Sequence, residues 1–510
     1  MSSSEFDADP VPRSGGAPVL GEDGGEVGGS VPKLVTGIPG FDVLTMGGLP
    51  QGRATVLAGQ AGSAKTVFAG QFLAEGIRRG EPGVFVSLEE PTSDLRANLQ
   101  TLGHDIPAWE AAQDWRFVDA SPLVQLGSAS PAIEPYRLET LAAQISHAVD
   151  ATGARRLVLD SLNAVLALHD DPVTARQLLR ALISSMRALG LTIVLTVETS
   201  HDPARALSSY GIEEFVADNV VLLHNIREGR VRRRTVEVLK MRGAMHHKGE
   251  ASFTVLPGRG VVVLPTSRRT RVVGAAERRI TSGNEGLDAM LHGGLQDASV
   301  ALVAGPTGTG KTLLATEFLA GACEAGQRGL LLAYRGVTRP GAAQRGRLGS
   351  RLRRVRGARR PPREHVLPDA ASLDDHLVEI QDVVARFGPT RVAVDSLSSL
   401  ERLGTSESYR EFATRLTSFL KHEQIATLFT LASAGLPSQA TASEAHITAL
   451  ADAIVLLRHV EVDSTMRRAV AVLKLRGNAH EDRIRSFTIS GGGMQVGEPF
   501  TGVASVISSL

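Results

Sequence analysis

VALVA (300–304), GPTGTGKT (305–312) and LLATEFLAGA (313–322) run consecutively through the chain. A short β-branched apolar run feeds a glycine-rich loop, and the loop opens an apolar helical run. Glycines let the backbone wrap a phosphate chain, so that several N–H groups point inward at the helix start. The spacing G-x-x-x-x-G-K-[ST] predicts a nucleotide site at Gly305, Thr307, Gly308, Thr309, Gly310, Lys311 and Thr312. Lys311 is placed to reach the β- and γ-phosphates of ATP, and Thr312 to offer its hydroxyl to Mg²⁺.

The same loop occurs earlier as ATVLAG (54–59) followed by GQAGSAKT (59–66). Gly59, Gly62, Ser63, Lys65 and Thr66 keep the pattern, but Ala64 stands where the second consensus glycine belongs. An alanine is compatible with that position if its φ is negative. Gly-Gly-Leu precedes both loops, at 47–49 and 293–295. RRLVLDSL (155–162) reappears as TRVAVDSLSSL (390–400), and EVLKMRG (237–243) as AVLKLRG (471–477). Motifs recurring in one order identify a duplication of whole domains. The expected organisation is a disordered tail over 1–30, a first domain over 31–265 and a second over 266–510. The boundary falls near Thr266–Gly274, where TSRRTRVVG breaks the apolar pattern. The tail is Gly-, Ser-, Pro- and acid-rich, too poor in apolar side chains to offset its ordering entropy.

Each half alternates short apolar strands with helical stretches. GVFVSL (83–88), RLVLD (156–160) and TIVLTV (192–197) read as strands, and 66–80 and 173–190 as helices. The fold class is α/β, twice, with a mostly parallel sheet covered on both faces. Aromatics are only 4% of the chain, so aliphatic cores are expected. With 510 residues the chain is ample for two such domains. The net charge of +1 gives no basic excess that would argue for nucleic acid. A single cysteine, Cys323, excludes an internal disulfide and a CxxC zinc site. Neither a signal peptide nor an 18-residue apolar run is evident, and a cytoplasmic location is expected.

Asp160 and Asp395 end buried-strand patterns in both halves, the position from which a carboxylate positions Mg²⁺. Glu89 and Glu90 follow the next strand after the first loop's helix, at the sheet edge where ligands bind. A carboxylate there can orient or deprotonate the attacking nucleophile. At the matching place the second half has Arg335 and Gly336, and no carboxylate as far as Arg363. The expectation is hydrolysis mainly in domain 1 and mainly binding in domain 2. The Arg-rich run reads as a solvated loop or as a contact for nucleic acid or a partner; no aromatics interleave for base stacking.

These motifs resemble the KaiC family of double RecA-domain ATPases and autokinases. The resemblance runs from about Lys33 almost to the C-terminus and includes VFVSLEEP (84–91), YGIEEFVADNVVLL (210–223), EAHITALADAIVLL (444–457) and LKLRGNAHED (473–482). It implies two RecA-like domains, a homo-hexameric double ring and ATP with Mg²⁺ at subunit interfaces. It further implies trans-acting roles for Lys240, Arg242, Lys474 and Arg476, and nucleotide-adjacent places for His246, Arg468 and His480. Lysine usage agrees: of the chain's seven lysines, four are Lys65, Lys311, Lys240 and Lys474. Family members phosphorylate an adjacent Ser-Thr pair after His-Ile; here His446-Ile447 precedes Thr448 and Ala449. Thr448 is thus either a single remaining phosphoacceptor or an interface hydroxyl. The resemblance implies a signalling or timing-type role with a KaiB-like or signalling-kinase partner. The long C-terminal tail that binds KaiA is not seen, so no KaiA-type partner is expected. An active Ser/Thr autokinase and a RecA-class DNA-processing ATPase are the competing readings.

Overall fold

The computed structural model describes residues 31–121, 138–166, 171–199, 217–228, 231–265, 278–334, 363–365, 371–432, 441–462 and 464–501. The expected tail over 1–30 and the run that begins at Arg335 and Gly336 lie outside the described residues. In the first half the main elements are β1 (Ala54–Gly59), α1 (Lys65–Arg78), β2 (Gly83–Ser87), β3 (Trp115–Asp119), α2 (Leu138–Thr152), β4 (Arg156–Asp160), α3 (Pro172–Ala188), β5 (Thr192–Glu198), β6 (Asn219–Glu228), β7 (Val231–Met241), β8 (Glu250–Leu256) and β9 (Gly260–Leu264). They form one nine-stranded sheet of order β9-β8-β7-β6-β1-β5-β4-β2-β3. The second half repeats this with β10 (Val300–Gly305), α4 (Lys311–Glu324), β11 (Gly329–Ala333), β12 (Arg363–His365), α5 (Leu373–Phe387), β13 (Arg391–Asp395), α6 (Ser406–His422), β14 (Ala426–Ala432), α7 (Ala442–Leu450), β15 (Ala453–Val462), β16 (Thr465–Leu475), β17 (Arg485–Ser490) and β18 (Gly493–Pro499). Its order, β12-β11-β13-β14-β10-β15-β16-β17-β18, is the same arrangement read from the other edge.

The loop-bearing strand is central in each sheet. β1 pairs in parallel with β5 and β6, as β10 does with β14 and β15. Both faces of β1 are buried, which is why ATVLAG reads as an unbroken apolar run. Beyond β6 and β15 the pairing turns antiparallel. Both Lys-x-Arg-Gly segments therefore close the first antiparallel strand rather than a parallel one.

The cores are largely aliphatic, but the first domain gathers its aromatics. Both tryptophans, Trp109 and Trp115, stack at 6.0 Å, and Trp115 lies 6.2 Å from Phe85. A fully buried arginine fastens each central helix. Arg156 pairs with Glu81 and donates to the carbonyls of Val35 and Phe72; Arg391 donates to those of Thr281 and Phe318. These bonds offset part of the cost of burying each guanidinium.

The two halves touch through β7–β9 and the helices α5 and α6. Val262 and Leu264 pack into the second core. Arg259 pairs with Asp382 at 2.8 Å, Thr254 bonds Asp375, and Arg233 pairs with Glu411. Asp374 sits 3.4 Å from Arg415, yet burial pushes its carboxyl up to about 6.

Candidate functional site

β1 ends at Gly59 and the chain turns back into α1 at Lys65, so the loop 59–66 caps the helix N-terminus. A Cβ on Gly59 would meet the carbonyl oxygen of Leu223 at 2.5 Å, and one on Gly305 that of Leu457 at 2.1 Å. Only glycine lets each loop leave its strand so close to the neighbouring backbone. Lys65 Nζ donates to the carbonyls of Gly59 and Gln60 at 2.9 and 3.0 Å. Lys311 Nζ makes the same two bonds, to Gly305 and Pro306, at 2.7 Å each. Both ammonium groups are thus held over the mouth of their own loop.

Ala64 differs from the expectation. Its φ is 71°, in the left-handed region, like that of Gly310 at 109°. The loop imposes the glycine conformation on an alanine. Ala64→Gly is expected to raise the Tm of the first domain by about 1–3 °C. The left-handed conformation costs an L-residue roughly 1–2 kcal/mol, and glycine's freer unfolded chain returns about half of that. Calorimetry measures it. A lower Tm would mean that the methyl's packing against the first core outweighs the backbone cost.

A cavity of about 310 Å³ opens at the first loop, lined by Gly62, Ala64, Lys65, Thr66, Ser87, Glu89, Glu90, Asp160, Ser161 and Glu198. Asp160, at the end of β4, accepts a hydrogen bond from Thr196. Glu89 accepts one from Ser161 at 2.7 Å, which fixes its carboxylate. Burial, reinforced by Asp160, Glu89 and Asp94, raises the pKa of Glu90 above its ordinary value. That is the direction required of a general base working near neutrality. Burial lowers the pKa of Lys65, opposed by Glu198, Asp160 and Glu89. Glu198 is a site residue the motif search missed. It ends β5 directly beside Gly59 in the sheet, yet lies far from it in the chain.

Strand register allows the two halves to be compared position by position. Leu88 and Tyr334 both donate their N–H to the carbonyl of the strand-end aspartate, Asp160 and Asp395. In sequence, Glu89 and Glu90 follow Leu88, whereas Arg335 and Gly336 follow Tyr334. Glu198 pairs with Gly59 and Ala432 with Gly305, so the second half lacks this carboxylate as well. Ser396, at the place of Ser161, bonds Ser399 at 3.1 Å instead of a carboxylate. The second half does have a metal-type pair: Thr312 Oγ1 donates to Asp395 Oδ2 at 2.8 Å. A hydroxyl and a carboxylate oxygen side by side below a lysine and a glycine loop are the oxygen donors Mg²⁺ prefers. The residues present fit Mg·ATP.

The residues assigned to subunit interfaces fall into two groups. Lys240 pairs with Val220, which pairs with Val56; the backbone of Arg242 bonds Asp218, which bonds Ala54. Lys474 and Arg476 are likewise level with Leu302 and Val300. These four residues lie toward the sheet end opposite their own phosphate loops. Lys240 Nζ donates to the Ala217 carbonyl at 2.9 Å, and Lys474 Nζ to that of Thr448 at 3.2 Å. His246 and His480 continue the same turns, each with Nδ1 near a backbone carbonyl, at 3.0 and 3.3 Å. Arg468 is not brought together with them. It pairs with His459, beyond the level of Gly305, at the phosphate-loop end of its own sheet. Its counterpart Arg234, overlooked in the motif reading, donates Nε to the Gly62 carbonyl of its own loop at 3.3 Å. Thr448 lies on α7, its hydroxyl bonded to the Ala445 carbonyl at 2.8 Å.

Among the described residues no helix is long and apolar enough to cross a membrane. The family described as "ATPase: KaiC" matches residues 34–268, 280–345 and 347–500. The circadian clock protein KaiC3 of Synechocystis sp. is 44% identical over 491 residues, covering 94% of both chains. The circadian clock oscillator protein KaiC of Parathermosynechococcus lividus is 36% identical over 479 residues, covering 94% of this chain and 88% of its own. That of Synechococcus elongatus is 35% identical over 493 residues, with 94% and 92% covered. Two tandem RecA-like domains, two phosphate loops and this similarity along the chain lead to one conclusion: the chain belongs to the KaiC ATPase family.

Proposed function

We propose that the first domain hydrolyses ATP while the second mainly binds it, in a homo-hexameric double ring whose sites are completed by the neighbouring subunit. The observation that carries the reading is the carboxylate set of the first site. Glu89, Glu90 and Glu198 surround Lys65, whereas in the second half Ala432 stands opposite Gly305 and the sequence after Tyr334 continues Arg335-Gly336. In this reading Glu90 accepts the proton of the attacking water, and Ser161 holds Glu89 so that its charge keeps Glu90 basic. Lys65 and the loop N–H groups bind the phosphates. Mg²⁺, held by Thr66 with Asp160 and by Thr312 with Asp395, would neutralise phosphate charge. The output is a conformational state read by a KaiB-like protein or a signalling kinase.

One observation favours autokinase activity as a second reading. Lys474, of the Lys-x-Arg-Gly segment assigned to the neighbour's nucleotide, bonds the backbone of Thr448, so the single acceptor hydroxyl lies at the same interface. Intact mass after incubation with Mg·ATP, beside a Thr448→Ala control, tests both. The expected result is ATP consumed with no phosphate adduct. An adduct that vanishes in the control would make the second domain a kinase using a base other than the Glu pair.

A further inference from the structure

Three strands beside the first phosphate loop carry a cluster that no motif announces. His224 on β6, Glu237 on β7 and Glu250 on β8 each present a donor atom, and these atoms all lie within 4.8 Å of one another. The register explains the convergence. Glu237 stands directly opposite Glu250, and His224 opposite Thr235, two residues along the same face. Like charges placed directly opposite on neighbouring strands are destabilising unless a cation compensates them. Among the described residues neither carboxylate has an arginine or lysine within ion-pair distance. The Thr235 hydroxyl donates to Glu250 Oε2 at 2.9 Å and so orients that carboxylate.

We propose that His224, Glu237 and Glu250 bind a divalent transition-metal ion of the zinc type, distinct from the Mg²⁺ at the nucleotide. One imidazole nitrogen and two carboxylate oxygens form a mixed N/O set suited to zinc, with the fourth position left to water. Small side-chain rotations bring donors already this close to metal–ligand distance. His224 and Glu237 are half-buried and Glu250 is exposed, which leaves an entry path. The site belongs to the first domain alone. By register, Arg458, Ala471 and Ile484 hold the three places in the second half. The ion ties together strands that also support the loop, because Thr235 follows Arg234, whose guanidinium bonds Gly62.

The test uses the full chain, stripped with chelator and saturated with Mg·ADP so that the nucleotide site is filled. Zn²⁺ is titrated against a chromogenic chelator, and Co²⁺ serves as the spectroscopic probe. The wild type is expected to take up one tight equivalent more than His224→Ala or Glu237→Gln, and to show tetrahedral Co²⁺ bands that both variants lose. Thr235→Val is expected to weaken binding about 10–100-fold through misorientation of Glu250. ADP binding reports that each variant is folded; if the half-buried positions fail this control, the exposed Glu250→Gln carries the comparison. Equal stoichiometry and equal Co²⁺ spectra in wild type and folded variants overturn the proposal.

Discussion

Glu89→Gln/Glu90→Gln leaves ATP bound but lowers its hydrolysis by about 10²–10⁴-fold, the usual contribution of a positioned base. Lys311→Ala, by contrast, leaves most turnover in place while removing nucleotide from the second domain. The physical reason is that both substitutions spare the loop N–H groups, Thr66 and Asp160 of the first domain. Glutamine keeps the shape of each side chain, and its amide oxygen still accepts from Ser161, so the cavity is preserved while the proton acceptor is lost. Phosphate release, measured beside bound-nucleotide stoichiometry, separates chemistry from binding. Activity that survives the double substitution and disappears with Lys311→Ala would place hydrolysis in the second domain and sink the proposed division of labour.

Arg242→Ala and Lys65→Ala subunits, each about 10³-fold or more impaired alone, are expected to regain activity when mixed. Arg242 is level with Ala54, five residues before Gly59 on β1, hence roughly 16 Å from its own loop along the strand. A guanidinium at that end of the sheet serves a phosphate only across a subunit boundary, as an arginine supplied in trans. In a one-to-one mixture, about a quarter of the interfaces join an intact loop to an intact Arg242, and recovery to about that fraction is expected. Subunits must exchange freely, which size-exclusion chromatography of differently tagged chains checks. Co-assembled rings with no recovered turnover would rule out the trans role and return Arg242 to a structural one.

The phosphate loops, the duplication and the strand-end aspartates were legible because each is written in contiguous residues. A β-strand, a glycine turn and a helix start follow one another along the chain, and their geometry is local. Asp160 and Asp395 were legible for the same reason, as the polar ends of apolar runs. Ala64 was legible as a departure, but its positive φ was not, because the surrounding loop sets that angle. Glu198 and Arg234 carried no motif, and the repeated Asp-Ser-Leu gave Ser161 no role. Each acquires its meaning from a partner on another element: Gly59 across the sheet, Glu89 after β2, Gly62 after β1. The separation of Arg468 from Lys474 likewise follows from which end of the sheet each residue reaches. Local backbone geometry is encoded residue by residue and can be read directly. Strand order and register arise from burying two apolar faces at once, a property of the whole chain, so the side chains they bring together are known only once the sheet has formed.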